Sequence, residues 1–141
     1  MKKRTEELMR MLEKTQDIAD YINTNSEELS KMTLSECLSL FLSKYNVKKS
    51  DVINLSGLDP IYAYQIFAGT KRPSRDKLIA LMAGFMLSVE DANRLLKSAG
   101  LSDLYARDKR DAVIIFGLNN KLSVAEIDDL LFELKLETIG K

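Results

Sequence analysis

The sequence predicts an all-α protein of roughly seven or eight helices. Three observations lead to this fold class. Only two prolines and six glycines interrupt the 141 residues, apolar residues recur at intervals of three and four, and no strand-like alternation persists. The chain is 45% hydrophobic and 30% charged, which suits a globular fold and is too polar for a membrane span. We therefore expect short loops between helices that pack around an interior core.

The N-terminal helix is predicted from about Thr5 to Ile22, before a break at Asn23 to Ser26. One stripe along this helix contains Leu8, Leu12, Thr15, Ala19 and Ile22. Two alternatives follow for the stripe. It forms either a short coiled-coil seam that holds a dimer together, or a face that folds back across its own bundle.

Capping residues place most of the other helices. Thr33 with Glu36 makes a capping box, as does Ser123 with Glu126, and each marks a helix start. The predicted helices outside the central segment run from Leu34 to Tyr45, about Arg75 to Met86, Val89 to Ser98, about Lys109 to Leu118, and Val124 to Leu134.

The segment from Ser50 to Ser74 indicates two short helices that meet at a sharp angle. Gly57 suits the left-handed end of the first helix, Asp59 is a good N-cap, and Pro60 fits the first position of the second helix. Gly69 then ends that second helix. Two helices of about eight residues joined by about three match the DNA-reading helix-turn-helix.

A repeat at an offset of 35 residues relates segments 75–101 and 110–136, with nine identities in 27 aligned positions. Both copies read as a helix, a Leu-Ser-Val cap and a second helix, so they predict two stacked helical hairpins. The alternative is that similar capping chemistry simply recurs. We attribute the charged run Asp103 to Asp111 to mutual pairing around a helix start, and Asp128 and Asp129 to solvated surface.

Charge is unevenly distributed in a chain with 21 basic and 21 acidic residues. Residues 44–77 carry seven Lys or Arg against three Asp, a net charge of +4, so the remainder is −4. A basic face on an otherwise acidic molecule suits attraction to phosphate, and an ordinary solvated surface is the alternative.

Composition argues against enzymatic chemistry. The chain has no histidine, which removes most zinc sites and the usual general base. Cys37 is the only cysteine, so we expect a small buried hydrophobic residue and no intramolecular disulfide. The N-terminal residues lack an apolar run of signal-peptide type. We expect a cytoplasmic, non-enzymatic protein without a cofactor or metal, and with no membrane partner.

The run from Leu34 to Leu81 resembles the phage-repressor and Cro-like helix-turn-helix proteins, often called the XRE family. The resemblance is carried by the apolar helix Leu34 to Tyr45, the segment Asp51 to Gly57, Ala63, Ile66, and the loop GTKRPS from Gly69 to Ser74. It implies a five-helix bundle that binds double-stranded DNA as a homodimer and regulates transcription. The chain then divides into an N-terminal helical segment (1–32), the helix-turn-helix domain (33–101) and a C-terminal hairpin packed on it (102–141).

The resemblance also implies the residues that meet DNA. Base edges in the major groove are expected to contact Pro60, Ile61, Tyr64 and Gln65. Phosphates are expected to contact Lys48, Lys49, Ser50, Tyr62, Thr70, Lys71 and Arg72. Of the base-facing group only Gln65 has a bidentate base-reading side chain, which pairs well with adenine.

The apolar character of the second short helix supports a different hypothesis. Its large apolar and aromatic residues are Ile61, Tyr62, Tyr64 and Phe67. They point in different directions on one short helix, so they cannot all lie in the core. Clustered exposed tyrosine and isoleucine often mark a protein contact. The alternative function is therefore an adaptor that binds a partner protein through Ile61 and Tyr64 without binding DNA.

Overall fold

The computed structural model describes residues 5–14, 18–19 and 32–140, and within these ranges the protein is all-α, with eight delimited helices and no strand. In chain order the helices are α1 Thr5–Lys14, α2 Leu34–Lys44, α3 Lys49–Ser56, α4 Pro60–Ala68, α5 Arg75–Phe85, α6 Val89–Ser98, α7 Lys109–Asn119 and α8 Val124–Glu133. The all-α prediction is confirmed, and the predicted bounds of α2 and α4 to α8 agree with these to within one residue.

Reciprocal capping explains where α2 and α8 begin. The Thr33 hydroxyl accepts from the Glu36 N–H at 3.1 Å, and the Glu36 carboxylate accepts from the Thr33 N–H at 3.0 Å. Ser123 and Glu126 make the same pair of hydrogen bonds at 3.1 and 2.9 Å. Each pair satisfies N–H groups that the first turn of a helix leaves without a partner. Both predicted capping boxes are confirmed.

The turn between α3 and α4 has the predicted chemistry. Gly57 takes a left-handed conformation with φ of 73° and ends α3. The Asp59 side chain accepts from the Tyr62 N–H at 3.1 Å, and Pro60 occupies the first position of α4. Gly69, with φ of 85°, ends α4. The turn therefore follows from local side-chain chemistry and from the steric freedom of glycine.

The hydrophobic core surrounds α5, where every residue from Leu78 to Phe85 is buried. α3 crosses α5 at very close range. A Cβ atom on Gly84 would lie 2.6 Å from the Val52 carbonyl oxygen, so the crossing requires glycine at this position. The Phe85 ring stacks near the rings of Phe41 and Phe67, with centroids 6.4 and 6.2 Å apart. These contacts hold α3 and α4 rigidly against the centre of the bundle.

The hairpins α5–α6 and α7–α8 repeat one geometry at an offset of 35 residues. Met86 and Lys121 occupy equivalent left-handed positions at the two turns, with φ of 61° and 55°. In both copies the next N–H donates to the carbonyl five residues earlier, at 3.1 and 2.9 Å. A bond from an N–H to the carbonyl five residues earlier also ends α2, α4, α6 and α8, so the turns alone do not distinguish a repeat from recurrent capping chemistry.

Crossed arginine–aspartate pairs join the two hairpins. Arg75 donates two hydrogen bonds to Asp111 at 3.0 and 2.9 Å, and Arg110 donates two to Asp76 at 2.8 and 3.1 Å. Each arginine also donates to backbone carbonyls 27 and 28 residues further along the chain. The contacts are equivalent under the same offset, so the hairpins face each other with pseudo-twofold symmetry.

Two predictions about charged residues are therefore wrong. Arg110 and Asp111 do not pair within the run 103–111, because their partners lie in the other hairpin. Asp128 is not simply solvated, since its carboxylate accepts from the Ile139 and Gly140 N–H groups at 2.6 and 2.9 Å. Neither error was visible locally, because the ion-pair partners of Asp111 and Arg110 lie 36 and 34 residues away, and the N–H groups bound by Asp128 lie 11 and 12 residues away.

The described part of the N-terminal helix folds back on the bundle. Leu8 is buried against Leu40 of α2, and the apolar residues packed around this pair are Met11, Leu12, Ile18 and Met32. Ala19 is exposed. The predicted stripe positions Thr15 and Ile22, and the break at 23–26, lie outside the described residues. For the part that is described, the fold-back alternative holds.

Candidate nucleic-acid interface

α4 has a buried side and an exposed side. Ala63 and Ile66 are fully buried in the core, whereas Ile61 is 73% exposed and Tyr64 is 45% exposed. Pro60 is also exposed, and Gln65 is half-buried. The prediction that the large apolar residues of α4 cannot all lie in the core is confirmed. The four residues predicted to face base edges thus lie on the outer surface of the helix, with Gln65 the most covered.

The start of α3 brings further predicted residues beside α4. Lys48, Lys49 and Ser50 are all exposed. Lys48 holds the N-cap position, and its side chain forms no capping hydrogen bond. The Lys48 side chain therefore satisfies none of the N–H groups that the first turn of a helix leaves without an intrahelical acceptor, and a phosphate oxygen suits that position. The Lys49 ammonium lies 5.4 Å from the centroid of the Phe67 ring, so this lysine is held against α4.

Tyr62 connects α4 to the loop that follows it. Its hydroxyl lies 3.5 Å from the Arg72 carbonyl oxygen, and the Lys77 ammonium lies 5.4 Å from its ring centroid. The side chain is half-buried in this position. Tyr62 therefore positions the loop, and Lys77 adds a cation beside it. The Thr70 hydroxyl donates to the Gln65 carbonyl at 3.2 Å, which ties the loop to the end of α4.

A groove of about 800 Å³ lies between this loop, the start of α2 and the end of α6. Three cationic residues line the groove, namely Lys71, Arg72 and Lys97, and its lining includes no Asp or Glu from the described part of the chain. The Ser35 hydroxyl donates to the Phe67 carbonyl at 2.6 Å, which docks α2 on the last turn of α4. The groove is thus a concave cationic surface at the C-terminal end of α4, where Ile66 and Gly69 line it.

Lys97 is the residue that sequence reasoning missed. It lies outside the basic window of residues 44–77 and sits in the last turn of α6. No local pattern links it to Lys71 and Arg72, because only the packing of α6 against α2 brings the three side chains to one groove. The structure therefore enlarges the basic surface beyond the window that the sequence indicated.

Two cations inside that window serve the fold instead. Lys44 pairs with Asp91 at 2.7 Å, and Arg75 pairs with Asp111 at 2.9 Å. Both carboxylates are nearly inaccessible to solvent, so these charges are neutralised within the bundle. In the described part of the chain, the remaining window cations form no ion pair with an acidic side chain. They are Lys48, Lys49, Lys71, Arg72 and Lys77.

Buried ionisable groups elsewhere act as structural links. Burial raises the pKa of Asp91, but hydrogen bonds from Lys44, Tyr45 and Arg94 outweigh it, so the pKa is lowered overall. The Tyr45 hydroxyl donates to this carboxylate at 2.6 Å and joins α2 to α6. Burial raises the pKa of Cys37 to about 12, so its thiol stays protonated and is a poor nucleophile.

In the described residues, no group of three or more His, Cys, Asp or Glu is placed to hold a metal ion. Over the same ranges, none of the helices has the length and apolarity needed to cross a membrane. No family model, curated protein or solved structure matches the chain. The geometry and charge of the protein surface therefore provide the evidence for its function.

Proposed function

We propose that this protein is a non-enzymatic, cytoplasmic regulator of transcription that binds double-stranded DNA through a Cro-like helix-turn-helix of the XRE type. α3 and α4 form the helix-turn-helix, and α4 enters the major groove. The protein acts as a homodimer, because two α4 helices about 34 Å apart reach adjacent turns of the groove. The appended α7–α8 hairpin extends the bundle.

One observation carries the proposal: five exposed cations form no ion pair with an acidic side chain among the described residues. They lie at the start of α3 (Lys48 and Lys49), in the loop after α4 (Lys71 and Arg72) and at the end of α6 (Lys97). Lysine and arginine around a protruding helix provide the sequence-independent grip on phosphates that precedes base reading. Asp51 and Asp59 share this segment, and the Asp59 side chain is engaged as the N-cap of α4.

Base reading in this proposal falls on few side chains. Ile61 protrudes far enough to contact a thymine methyl group, and Gln65 supplies the amide that pairs with adenine. Each good base contact discriminates by about 1 to 3 kcal/mol. We therefore expect modest sequence specificity on top of a strong electrostatic contribution.

The test is a fluorescence anisotropy titration of a mixed-sequence DNA duplex at about 50 and 200 mM salt. Five phosphate contacts per protomer make ten in the homodimer, which correspond to a slope of about −9 in log affinity against log salt and thus to a loss on the order of 10⁵-fold over this range. Replacing Lys49, Lys71 and Arg72 by alanine leaves four contacts and should reduce the slope to about −3.6. Absence of binding at the lower salt concentration would overturn the proposal.

The exposed apolar side chains favour a second candidate, an adaptor that uses the same surface to bind a protein. Ile61 and Tyr64 stand out from α4, and Leu55 at the end of α3 is 53% exposed. Such a cluster is typical of the centre of a protein interface. The two functions differ in the substitutions that matter, because the adaptor needs Ile61 and Tyr64, whereas general DNA affinity depends mainly on the cations.

A further inference from the structure

The α7–α8 hairpin exposes three large apolar side chains, two of them at positions that its counterpart buries or half-buries. Leu81 is fully buried in α5, but its equivalent Phe116 in α7 is 54% exposed. Ala99 is half-buried after α6, but its equivalent Leu134 after α8 is 60% exposed. Phe132 in α8, the equivalent of the groove residue Lys97, is 76% exposed. We name Phe116, Phe132 and Leu134 the C-terminal face.

The repeat explains why this face lacks a cover. In the first hairpin, α3 crosses α5 at Gly84, and the start of α2 lies across the groove from Ala99. In the second hairpin the equivalent of Gly84 is Asn119, which is exposed. No described helix takes the place that α2 and α3 occupy on the first hairpin. Phe116 is thus the uncovered counterpart of a packed position, whereas Phe132, like the exposed Lys97, lies at a position that is open to solvent in both hairpins.

Charge indicates what can cover it. Residues 124–137 contain five acidic residues and one lysine, and α8 itself contains four acidic residues and no basic one. Asp129 lies three residues before Phe132, so the two side chains share one side of α8. An apolar centre with an acidic rim requires a partner with an apolar centre and a basic rim.

We propose that the C-terminal face binds, head to tail, the basic surface around α4 of a second copy of this chain. On that surface Ile61 and Tyr64 provide the apolar centre, and the lysines at the start of α3 provide the basic rim. Pairing two C-terminal faces with each other would bring two acidic α8 helices together, so electrostatics favour contact between the unlike surfaces. The contact is heterologous and uses a different surface on each copy.

Head-to-tail contact has a regulatory consequence that rests on the proposed function. The partner's C-terminal face would cover Ile61 and Tyr64 and would bring acidic side chains against the cations that grip phosphate. The head-to-tail contact and DNA binding would then exclude each other, and in the absence of DNA the head-to-tail assemblies would keep the DNA-binding surface covered.

The test compares two variants that each disable one surface. Ile61→Glu alters the α4 surface, and Phe132→Glu alters the C-terminal face; both side chains are mostly exposed, so the core is untouched. Tyr105→Glu, at a residue 59% exposed outside both surfaces, is the matched control. A trace amount of each labelled protein is titrated with unlabelled protein. Sedimentation velocity at low salt measures the association.

The expected result is complementation. Each of the two variants should associate with itself at least about tenfold more weakly than wild type, as for loss of an interface anchor. A mixture of Ile61→Glu with Phe132→Glu should recover 1:1 association, because each retains the surface that the other lacks. Failure of the mixture to associate more strongly than either variant alone would overturn the proposal, as would self-association of either variant at wild-type strength.

A DNA titration of the same variants separates this inference from the proposed function. If the proposed function and the head-to-tail contact both hold, Phe132→Glu and wild type bind DNA equally well at low protein concentration. At concentrations where wild type self-associates, wild type loses DNA affinity and Phe132→Glu does not. If complementation occurs but no variant binds DNA, the head-to-tail contact stands and the proposed function fails. If DNA binds without complementation, the contact fails alone.

Discussion

The crossed pairs between the hairpins provide a quantitative test of the repeat geometry. Arg75→Ala and Arg110→Ala remove equivalent arginines, each with two carboxylate hydrogen bonds and two backbone carbonyl partners. The carboxylates left behind differ, because the Asp111 side chain is 8% exposed whereas the Asp76 side chain is 30% exposed. The difference between the two variants therefore reports the burial of the orphaned charge.

The magnitudes follow from that burial. Breaking a fully buried pair costs about 3 to 5 kcal/mol. Asp111 retains the Tyr105 N–H at 3.0 Å, and the Arg75 side chain is 25% exposed, so we expect Arg75→Ala to lose about 2 to 3 kcal/mol of unfolding free energy. Water can reach Asp76, and Arg110→Ala should lose about 1 kcal/mol. Urea unfolding followed by circular dichroism at pH 7 measures both.

The pH dependence supplies a second readout. Burial raises the pKa of Asp111, but hydrogen bonding and charge from Arg75 outweigh it and lower the pKa below its ordinary value near 3.8. A lowered pKa in the folded state contributes stability above the unfolded pKa, and this contribution is lost as the pH falls through the folded value. The deficit of Arg75→Ala should therefore shrink below about pH 4. Equal losses for both variants, or a deficit that persists in acid, would refute the reasoning.

Three further changes test other parts of the molecule. Gly84→Ala should lower the free energy of unfolding by about 2 to 3 kcal/mol in urea unfolding, because its Cβ would meet the α3 backbone. Gly100→Ala has open space around its Cβ but a φ of 74°, and it should lower the free energy of unfolding by about 1 kcal/mol. Comparable losses would place α3 further from α5. Lys97→Ala removes one contact per protomer and should reduce the salt slope of DNA binding by the homodimer by about 1.8, whereas the control Lys109→Ala on α7 should leave it unchanged. Cys37 should resist alkylation at pH 8 in the folded protein and react after denaturation, because it is buried and its pKa is raised to about 12; rapid labelling of the native protein would contradict this.

The candidate site was partly predictable from the sequence. Pro60, Ile61 and Tyr64 were assigned to the outer side of a short helix, and the structure places them there. Glycine and N-cap residues define that helix, so its exposed side follows from local periodicity. The role of Tyr62 in positioning the loop was not predictable, because it depends on the approach of Lys77 and the Arg72 carbonyl.

Local sequence is sufficient to define the helices and their ends. Capping boxes, left-handed glycines and a first-turn proline act within three or four residues, and the hydrogen bonds they form do not depend on the rest of the fold. The 35-residue offset likewise predicts two related hairpins from the sequence alone.

Which charges are available to a partner depends on how the helices pack. Lys44 and Arg75 looked like members of a basic face, yet both are neutralised by carboxylates from distant helices. Lys97 belonged to no basic segment, yet it lines the groove with Lys71 and Arg72. The physical reason is that ion pairing and concavity depend on distances across the bundle, which the packing of whole helices sets and local sequence does not encode.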